Sequence, residues 1–574
     1  MSARNLFFIC LANVSLMGWT ADAQSEARIK VVQPGIHRLS EDLKFLVENS
    51  PVPNLKKQWD KTVKGLLDSF DDGFDPMKPI RVDLIFGEQS IGCEMYFPIA
   101  TLTGANSFFE NMKSLGYDTK SLTPDLFSIT EGKGSKAKER GFLRYSNDYA
   151  SIAPLKDAIP ANTPHPIGEE LNAFLTKGND LTAQMKNDPT DKIGMAARLA
   201  NFKELRKQLE AGIKFNRKED KLDFEMRKLA LIQNLNEAER FLVETELLTV
   251  SWITDIVNAR GLAEFAFTAI PDTTLEASAN LLAVKPSYFA NINSPQSSAA
   301  TARFNLALDS MRTTHLHEFI EVFRPVLAKR IENHEILKEP AQNAAAKKAG
   351  DSLIDILNAG ITLGAVDGFA DLSSVGESHT LVCGLRVADG KMFDQILNLL
   401  PQIRPEFEIK PLGQVGATDL FSIGLPPDRI PQFQRFFPGE TMLYVATSKE
   451  AVWIAMGVNA QADLTAAMTL VDEPPPATPG SVIALISANV SSLVGLLDAL
   501  QPKAIESKGP KTPKQKERDK IRDLATLATA GCEPRIVFEV VRNGRIIEGK
   551  LDVSECALRF VGTVIGDKAK SFDE

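Results

Sequence analysis

The sequence predicts an α+β protein of two similar halves. Antiparallel hairpin-rich sheets carry helices packed on one face, and a helical N-terminus and helical insertions are added. Three observations lead there. The pentapeptide DLFSI occurs twice, as Asp125–Ile129 and Asp419–Ile423, and similar segments flank both copies in the same order. Alternating apolar runs are joined by tight turns, the clearest being RIVFEVV and RIIEGKLDV about Asn543-Gly544, since Asn-Gly suits a two-residue hairpin turn. Between the strand-like runs lie stretches whose apolar residues recur at helical spacing.

The elements follow in chain order. Residues 1–23 have the three parts of a secretory signal peptide: Arg4, an apolar run from Leu6 to Trp19, and small-x-small at Ala21-Asp22-Ala23 before Gln24. Cleavage is expected after Ala23, which makes Ala21, Ala23 and Gln24 the processing site and the mature chain periplasmic or extracellular. Residues 24–77 read as a helical segment, with Leu55, Trp59, Val63, Leu66 and Phe70 on one stripe.

The first half spans 78–286. It holds the strand IGCEMYF, a helix with Phe108, Met112 and Leu115 on one side, the first DLFSI, and the pair of strands in GFLRYSNDYASIA. A connector with Pro154, Pro160, Pro164 and Pro166 follows, then a long helical stretch at 203–245. The half closes with a hairpin of LLTVSWITDI and LAEFAFTAI and a short helix opening at Pro271-Asp272-Thr273.

Residues 287–361 read as a helical connector, with Leu316, Phe319, Ile320, Phe323, Leu327 and Ile331 in a stripe that Pro325 should kink or break. The second half, 362–566, repeats the series: TLVCGLRV, a helix capped by Asp389 and stopped by Pro401, the second DLFSI, ETMLYVATSKEAVWIA, the connector EPPPATPG, LISANVSSLVGLL, and a hairpin and helix from Ser554. Ala488-Asn489 aligns there with Ala200-Asn201. A tail, 567–574, ends the chain.

Composition narrows the functions. A net charge of −9 over 574 residues is mild and gives no footing for nucleic acid, whose binding domains carry a basic excess. No stretch after the signal approaches the ~18 consecutive apolar residues of a membrane helix, so no transmembrane span is expected. Cys93, Cys383, Cys532 and Cys556 remain after processing; export permits disulfides, and four cysteines allow three pairings among which the sequence does not choose. Two basic loops, 132–140 and 502–520, read as solvated insertions, or in the sharper reading as contacts to an anionic envelope polymer or lipid headgroups.

Candidate chemistry is sparse. HLHE (His315–Glu318) places His315 and His317 on different sides of a helix. His317 and Glu321 could share a metal, but the motif is not HExxH, and a solvated helix face explains it. DSFDDGFD (Asp68–Asp75) has carboxylates without the spacing of a calcium loop. GLRVADGK (Gly384–Lys391) has one residue too many for a phosphate loop and Met392 where Ser or Thr should stand. GEQSIG (Gly87–Gly92) and GESH (Gly376–His379) read as hairpin turns, not nucleophile elbows. No catalytic, cofactor or metal residue is assigned from the sequence.

LAEFAFTAIPDTTLEASANLL, GITLGAVDGFADL and TLVCGLRVADGKMFDQIL resemble a group of large exported proteins of planctomycete-type bacteria that carry a signal peptide and a duplicated α+β body. The resemblance implies the address and the fold and brings no catalytic residues. The expectation is therefore an exported, non-enzymatic protein with a binding or structural role in the cell envelope. A carrier of a hydrophobic ligand is the first alternative, and an enzyme whose residues converge only in three dimensions is the second.

Overall fold

The computed structural model describes residues 27–48, 75–86, 91–99, 117–132, 137–153, 167–292, 298–471, 482–492 and 513–570, apart from short gaps inside the longer stretches, and a few isolated residues. The processing site at Ala21, Ala23 and Gln24, the stripe from Leu55 to Phe70 and the helix containing Phe108 lie outside them.

The first fifteen elements are β1 (Ala27–Gln33), α1 (Ile36–Glu48), β2 (Ile80–Phe86), β3 (Ile91–Pro98), β4 (Tyr117–Thr123), β5 (Leu126–Glu131), β6 (Lys138–Ser146), β7 (Tyr149–Ala153), α2 (Gly168–Thr176), β8 (Leu181–Lys186), α3 (Lys192–Ala211), α4 (Lys221–Glu244), β9 (Thr245–Asp255), β10 (Arg260–Ala269) and α5 (Thr274–Leu281). Then come β11 (Ser298–Ala307), α6 (Ser310–Glu332), α7 (Pro340–Ile361), β12 (Ala365–Val375), β13 (Ser378–Arg386), α8 (Phe393–Ile403), β14 (Glu408–Val415), β15 (Thr418–Gly424), β16 (Met442–Thr447), β17 (Ala451–Gly457), α9 (Ala460–Val471), β18 (Val482–Asn489), α10 (Pro513–Ala528), β19 (Arg535–Asn543), β20 (Ile546–Val553) and α11 (Glu555–Lys570). The protein is thus a mixture of helix and antiparallel sheet, and no described helix is long and apolar enough to cross a membrane.

The twenty strands among the described residues join one antiparallel ladder. Its spatial order is β4–β5–β6–β7–β3–β2–β1–β8–β9–β10, then β20–β19–β18–β11–β12–β13–β17–β16–β15–β14. The second ten strands pair in the same order as the first ten, and the two series meet where β10 lies beside β20, Phe265 opposite Gly549. Both DLFSI segments form the second strand in from an edge, β5 and β15. The edges themselves, β4 and β14, each carry a register shift and an exposed lysine, Lys120 and Lys410, and β14 adds Pro411; these features discourage further strand addition.

Cross-strand register divides the sheet into two faces. One, here face A, carries Trp252, Phe265, Leu551 and Phe538 at the centre. There α5 packs on Phe265, Phe267, Ile547 and Val540, and α11 packs on Trp252, Ile536, Leu551 and Val553. Aromatic rings lie flat over glycines of neighbouring strands: the Phe265 ring occupies the space a Cβ on Gly549 would need, and Phe304 does the same at Gly368.

In the outer parts of the sheet helices cover both faces, which corrects the expectation of one covered face. In the second half α8 packs on face A over Ile423, Val445 and Met456, while α9 and Phe289 pack on face B over Phe369, Leu420, Trp453 and Ala455. The reason is visible in β17, AVWIAMG, which is apolar at every position and buried on both sides. In the first half α2 covers Val32, Tyr96 and Tyr149 on face B.

Five further expectations change. The segment 24–77 opens with a strand, β1, not a helix, and the connector 287–361 contains β11; both lie within the sheet. Ala200-Asn201 lies in helix α3 and Ala488-Asn489 at the end of strand β18, so that correspondence fails; the strand paired like β18 is β8. Pro325 and Pro401 sit inside α6 and α8, which continue past them. Residues 513–520 of the second basic loop belong to α10, and Lys138 to Arg140 of the first belong to β6, where Arg140 pairs with Glu131.

Candidate functional site

A dense buried polar group lies on face B of β1, β2 and β3. Alternation along these strands puts Ile29, Val31, Val82, Leu84, Cys93 and Met95 on face A and leaves Arg28, Lys30, Arg81, Asp83, Glu94 and Tyr96 on the other. Asp83 is fully buried and accepts from Arg28 Nη1 at 2.8 Å and from Arg81 Nε at 2.6 Å. Arg28 Nη1 also reaches Glu94 Oε2 at 2.6 Å, and the Tyr96 hydroxyl donates to the same oxygen at 3.0 Å. The Arg81 guanidinium stands 4.8 Å from the centre of the Tyr96 ring, a cation–π distance.

These contacts set the electrostatics. Burial works against the Arg28 charge, and Glu94 and Asp83 more than offset it, so Arg28 holds its proton more tightly than a free arginine. Burial, then Glu94 and Asp83, push the Tyr96 phenol above its ordinary range. The Cys93 thiol, buried on the other face, is pushed up to about 12 by burial and the same two carboxylates, so it is not a nucleophile at neutral pH. The cluster is a set of charge-assisted hydrogen bonds that takes in the buried Tyr96 hydroxyl.

The second series of strands fills the same place differently. Beside Cys93 the face-B pair is Asp83 opposite Glu94; beside Cys383 it is Phe369 opposite Gly384. A Cβ on Gly384 would come within 2.8 Å of the Phe289 and Phe369 rings, and Trp453 packs edge-on against both. Charge in one outer sheet is replaced by aromatic packing in the other.

A second polar group joins α1 to the sheet. Asp42 on α1 and Asp180, just before β8, are each about 3% exposed. Arg38 Nη2 lies 3.0 Å from Asp180 Oδ1 and donates to the Gly178 carbonyl at 3.1 Å; its Nε is 4.0 Å from Asp42 Oδ2. Asp180 also accepts the Thr254 N–H. Burial, then the charge of Asp180 and a hydrogen bond to it, raise Asp42 to about 7, against a smaller opposing pull from Arg38.

The sequence candidates have structural employment. His315 Nε2 is 2.9 Å from Asn236 Nδ2 on α4, and His317 Nδ1 is 3.1 Å from Asn358 Oδ1 on α7, so both histidines sit in helix contacts and not on a solvated face. Asn358 also reaches Glu321 at 3.4 Å, which occupies the pair that could have shared a metal. Among the described residues no group of three or more His, Cys, Asp or Glu is placed to hold a metal. Asp389 caps the turn before α8 by accepting the Lys391 N–H at 3.1 Å. Of DSFDDGFD only Asp75 is described; it accepts the Met77 N–H. In GESH, His379 Nδ1 lies 2.7 Å from Ser374 Oγ across the β12–β13 hairpin, a cross-strand pair to which no third orienting group is bonded among the described residues. The cysteines resolve as a Cys532–Cys556 disulfide, with Cys93 and Cys383 free.

No family model, no curated protein and no solved structure matches this chain.

Proposed function

We propose that the chain is an exported, non-catalytic binding protein of the cell envelope, built from two halves of common origin, and that its partner docks on the open centre of face B. The observation that carries this is the central cross-strand row Ser251–Glu264–Lys550–Glu539 across β9, β10, β20 and β19. Glu264 and Lys550 are exposed, while the helices packed on these strands, α5 and α11, lie on the opposite face. Among the described residues no helix is placed on face B of these central strands, which present a polar row between helix-covered outer parts.

The shared pairing order of the two strand series supports common origin. Export is supported by the sequence of residues 1–23 and is compatible with the Cys532–Cys556 disulfide. The expected test has two parts. Mass spectrometry of protein taken from its own host should find Gln24 at the N-terminus. The charge reversals Glu264→Lys and Lys550→Glu should release the protein from the envelope material that wild type co-fractionates with. Release by helix-side substitutions alone, or an intact N-terminus, would overturn the respective part.

A hydrophobic-ligand carrier remains the second reading because of face A. Val250 and Ile486 on the central strands are 41% and 47% exposed beside the Phe265 and Phe538 rings. Native mass spectrometry of host-purified protein should show a bound lipid if this reading holds, and bare protein counts against it.

A further inference from the structure

We propose that Asp42, Asp180 and Arg38 form a proton-dependent latch that fastens α1 to the sheet and so controls the packing of α1 on α11. The geometry comes first. Both carboxyls are buried, and neither oxygen of Asp42 receives an N–H or O–H donor. Two buried carboxyl groups gathered about one guanidinium repel each other when both are ionised, and protonating one of them removes that repulsion. Among the described residues Arg38 is the cation paired with both carboxyls, and it lies closer to Asp180. One carboxylate and one carboxylic acid beside one guanidinium is therefore the charge state this site accommodates.

Among the described residues the surrounding elements add no second cation acting on Asp42. From α1, Arg38 and Glu41 act on Asp42, and Glu41 opposes its ionisation. The turn before β8 supplies Asp180. β9 supplies Trp252, whose indole N–H donates to Thr254 Oγ1, and neither of these titrates. On α11 the charged side chains Glu555 and Arg559 pair with each other.

What the latch holds is the meeting of α1 with α11. Phe45 and Leu46 pack on Val553, Ala557 and Leu558, Gly562 lets α11 approach the Leu46 carbonyl where a Cβ would collide, and Ser50 Oγ meets Thr563 Oγ1 at 2.7 Å. Loosening α1 therefore loosens the C-terminal helix that packs on the central strands.

The sign follows from linkage. Folded Asp42 keeps its proton up to about 7, while an aspartate freed by opening of α1 loses its proton near ~3.9. The latched state is favoured most below that lower value, weakens as pH rises towards 7, and changes no further above it. Each pH unit in the middle of that window changes the open-to-latched ratio about tenfold, and half-titration at its upper end makes the difference between pH 5.5 and pH 7 about fifteenfold.

The experiment is hydrogen exchange of the full chain at a series of pH values, corrected for intrinsic rates and read on peptides of α1 and α11. Wild type should lose α1 protection between pH 5.5 and 7 by about that factor, with α11 following. Asp42→Asn keeps the shape, is neutral at every pH and can donate to Asp180, so its α1 protection should not vary over the range. His37→Gln removes the histidine on α1 and should leave the wild-type dependence in place. Infrared spectroscopy gives a readout independent of stability: a protonated-carboxyl band should persist to near neutral pH in wild type and be missing in Asp42→Asn. Protection of α1 that is flat with pH in wild type, equal pH dependence in Asp42→Asn, or the absence of that band would each overturn the latch.

Discussion

Replacing Asp83 by asparagine tests whether the face-B network of the first half is as dry as its geometry says. The carboxylate takes hydrogen bonds from two guanidiniums, and the side chain is fully buried. An asparagine there keeps the volume, removes the charge and turns an N–H₂ towards two arginines that only donate. Breaking a buried ion pair by removing one partner costs about 3–5 kcal/mol, because the charge left behind is uncompensated. The arginine side chains are 26% and 13% exposed, so water relieves part of that cost, which places the expectation at the lower end, about 3 kcal/mol. Urea denaturation followed by tryptophan fluorescence should show the loss as a lower midpoint with an unchanged slope. In calorimetry the transition containing this part of the sheet should fall by about 6–12 °C. A loss below about 1 kcal/mol would refute the reasoning, since that is the worth of an exposed pair and would mean that water already solvates Asp83.

Other outcomes follow from single features. Cys532→Ser, or reduction in the native state, should lower stability by about 3–4 kcal/mol, because the bridge closes a loop of sequence separation 24 that the unfolded chain would otherwise explore, and a reducing-agent titration of the melting temperature reads this directly. Gly549→Val should cost about 1–3 kcal/mol or more by lifting the Phe265 ring off the β10–β20 junction, whereas Gly544→Val, in the β19–β20 turn, should act through its positive φ of 62° and leave that ring in place; near-ultraviolet circular dichroism separates the two. Trp453→Phe should be tolerated far better than Trp453→Ala, which empties a side chain about 1% exposed and costs about 3–5 kcal/mol by denaturant melts.

What was legible in the sequence was periodicity, and what was hidden was coverage. The hairpin of β9 and β10 was plain because Leu248, Val250 and Trp252 alternate against Ala263, Phe265 and Phe267, and the register pairs those residues. Asp389 and Thr273 were readable as caps because each can accept a backbone N–H from the turn it opens. β1 is not legible as a strand because ARIKVVQ is short and places Arg28 and Lys30 among its apolar residues, which reads as a polar segment until β2 and β8 are laid beside it. β11 was missed because SAATARFNLA is rich in alanine, a helix former, and tertiary pairing overrides that preference. The Arg81, Asp83, Glu94 and Tyr96 side chains were each on a recognisable strand face, yet alternation in RVDLIF and CEMYF says only that one face is polar. It does not say that α2 will bury it. Asp42 and Asp180 had no signal, since they meet only when α1 lies over the start of β8.

The contrast between the two series of strands can decide whether that buried charge is there for function. Phe369, Gly384, Phe289 and Trp453 show that this framework accommodates an apolar interior at the place where the first series keeps Arg28, Arg81, Asp83 and Glu94. Buried ion networks commonly give way to well-packed apolar residues without loss, and with gains of about 1–4 kcal/mol in favourable cases. A chain carrying Arg28→Leu, Arg81→Leu, Asp83→Phe and Glu94→Gly should therefore fold with stability equal to or above wild type, in contrast to the single Asp83→Asn change. If the same chain no longer co-fractionates with envelope material, the network serves recognition and its cost in desolvation is maintained for that purpose. If it binds as wild type does, the recognition surface is confined to the central row of Ser251, Glu264, Lys550 and Glu539, and the charges of the first half only position β1 against β2 and β3. A chain that fails to fold would contradict the premise that the two interiors are interchangeable solutions of one sheet.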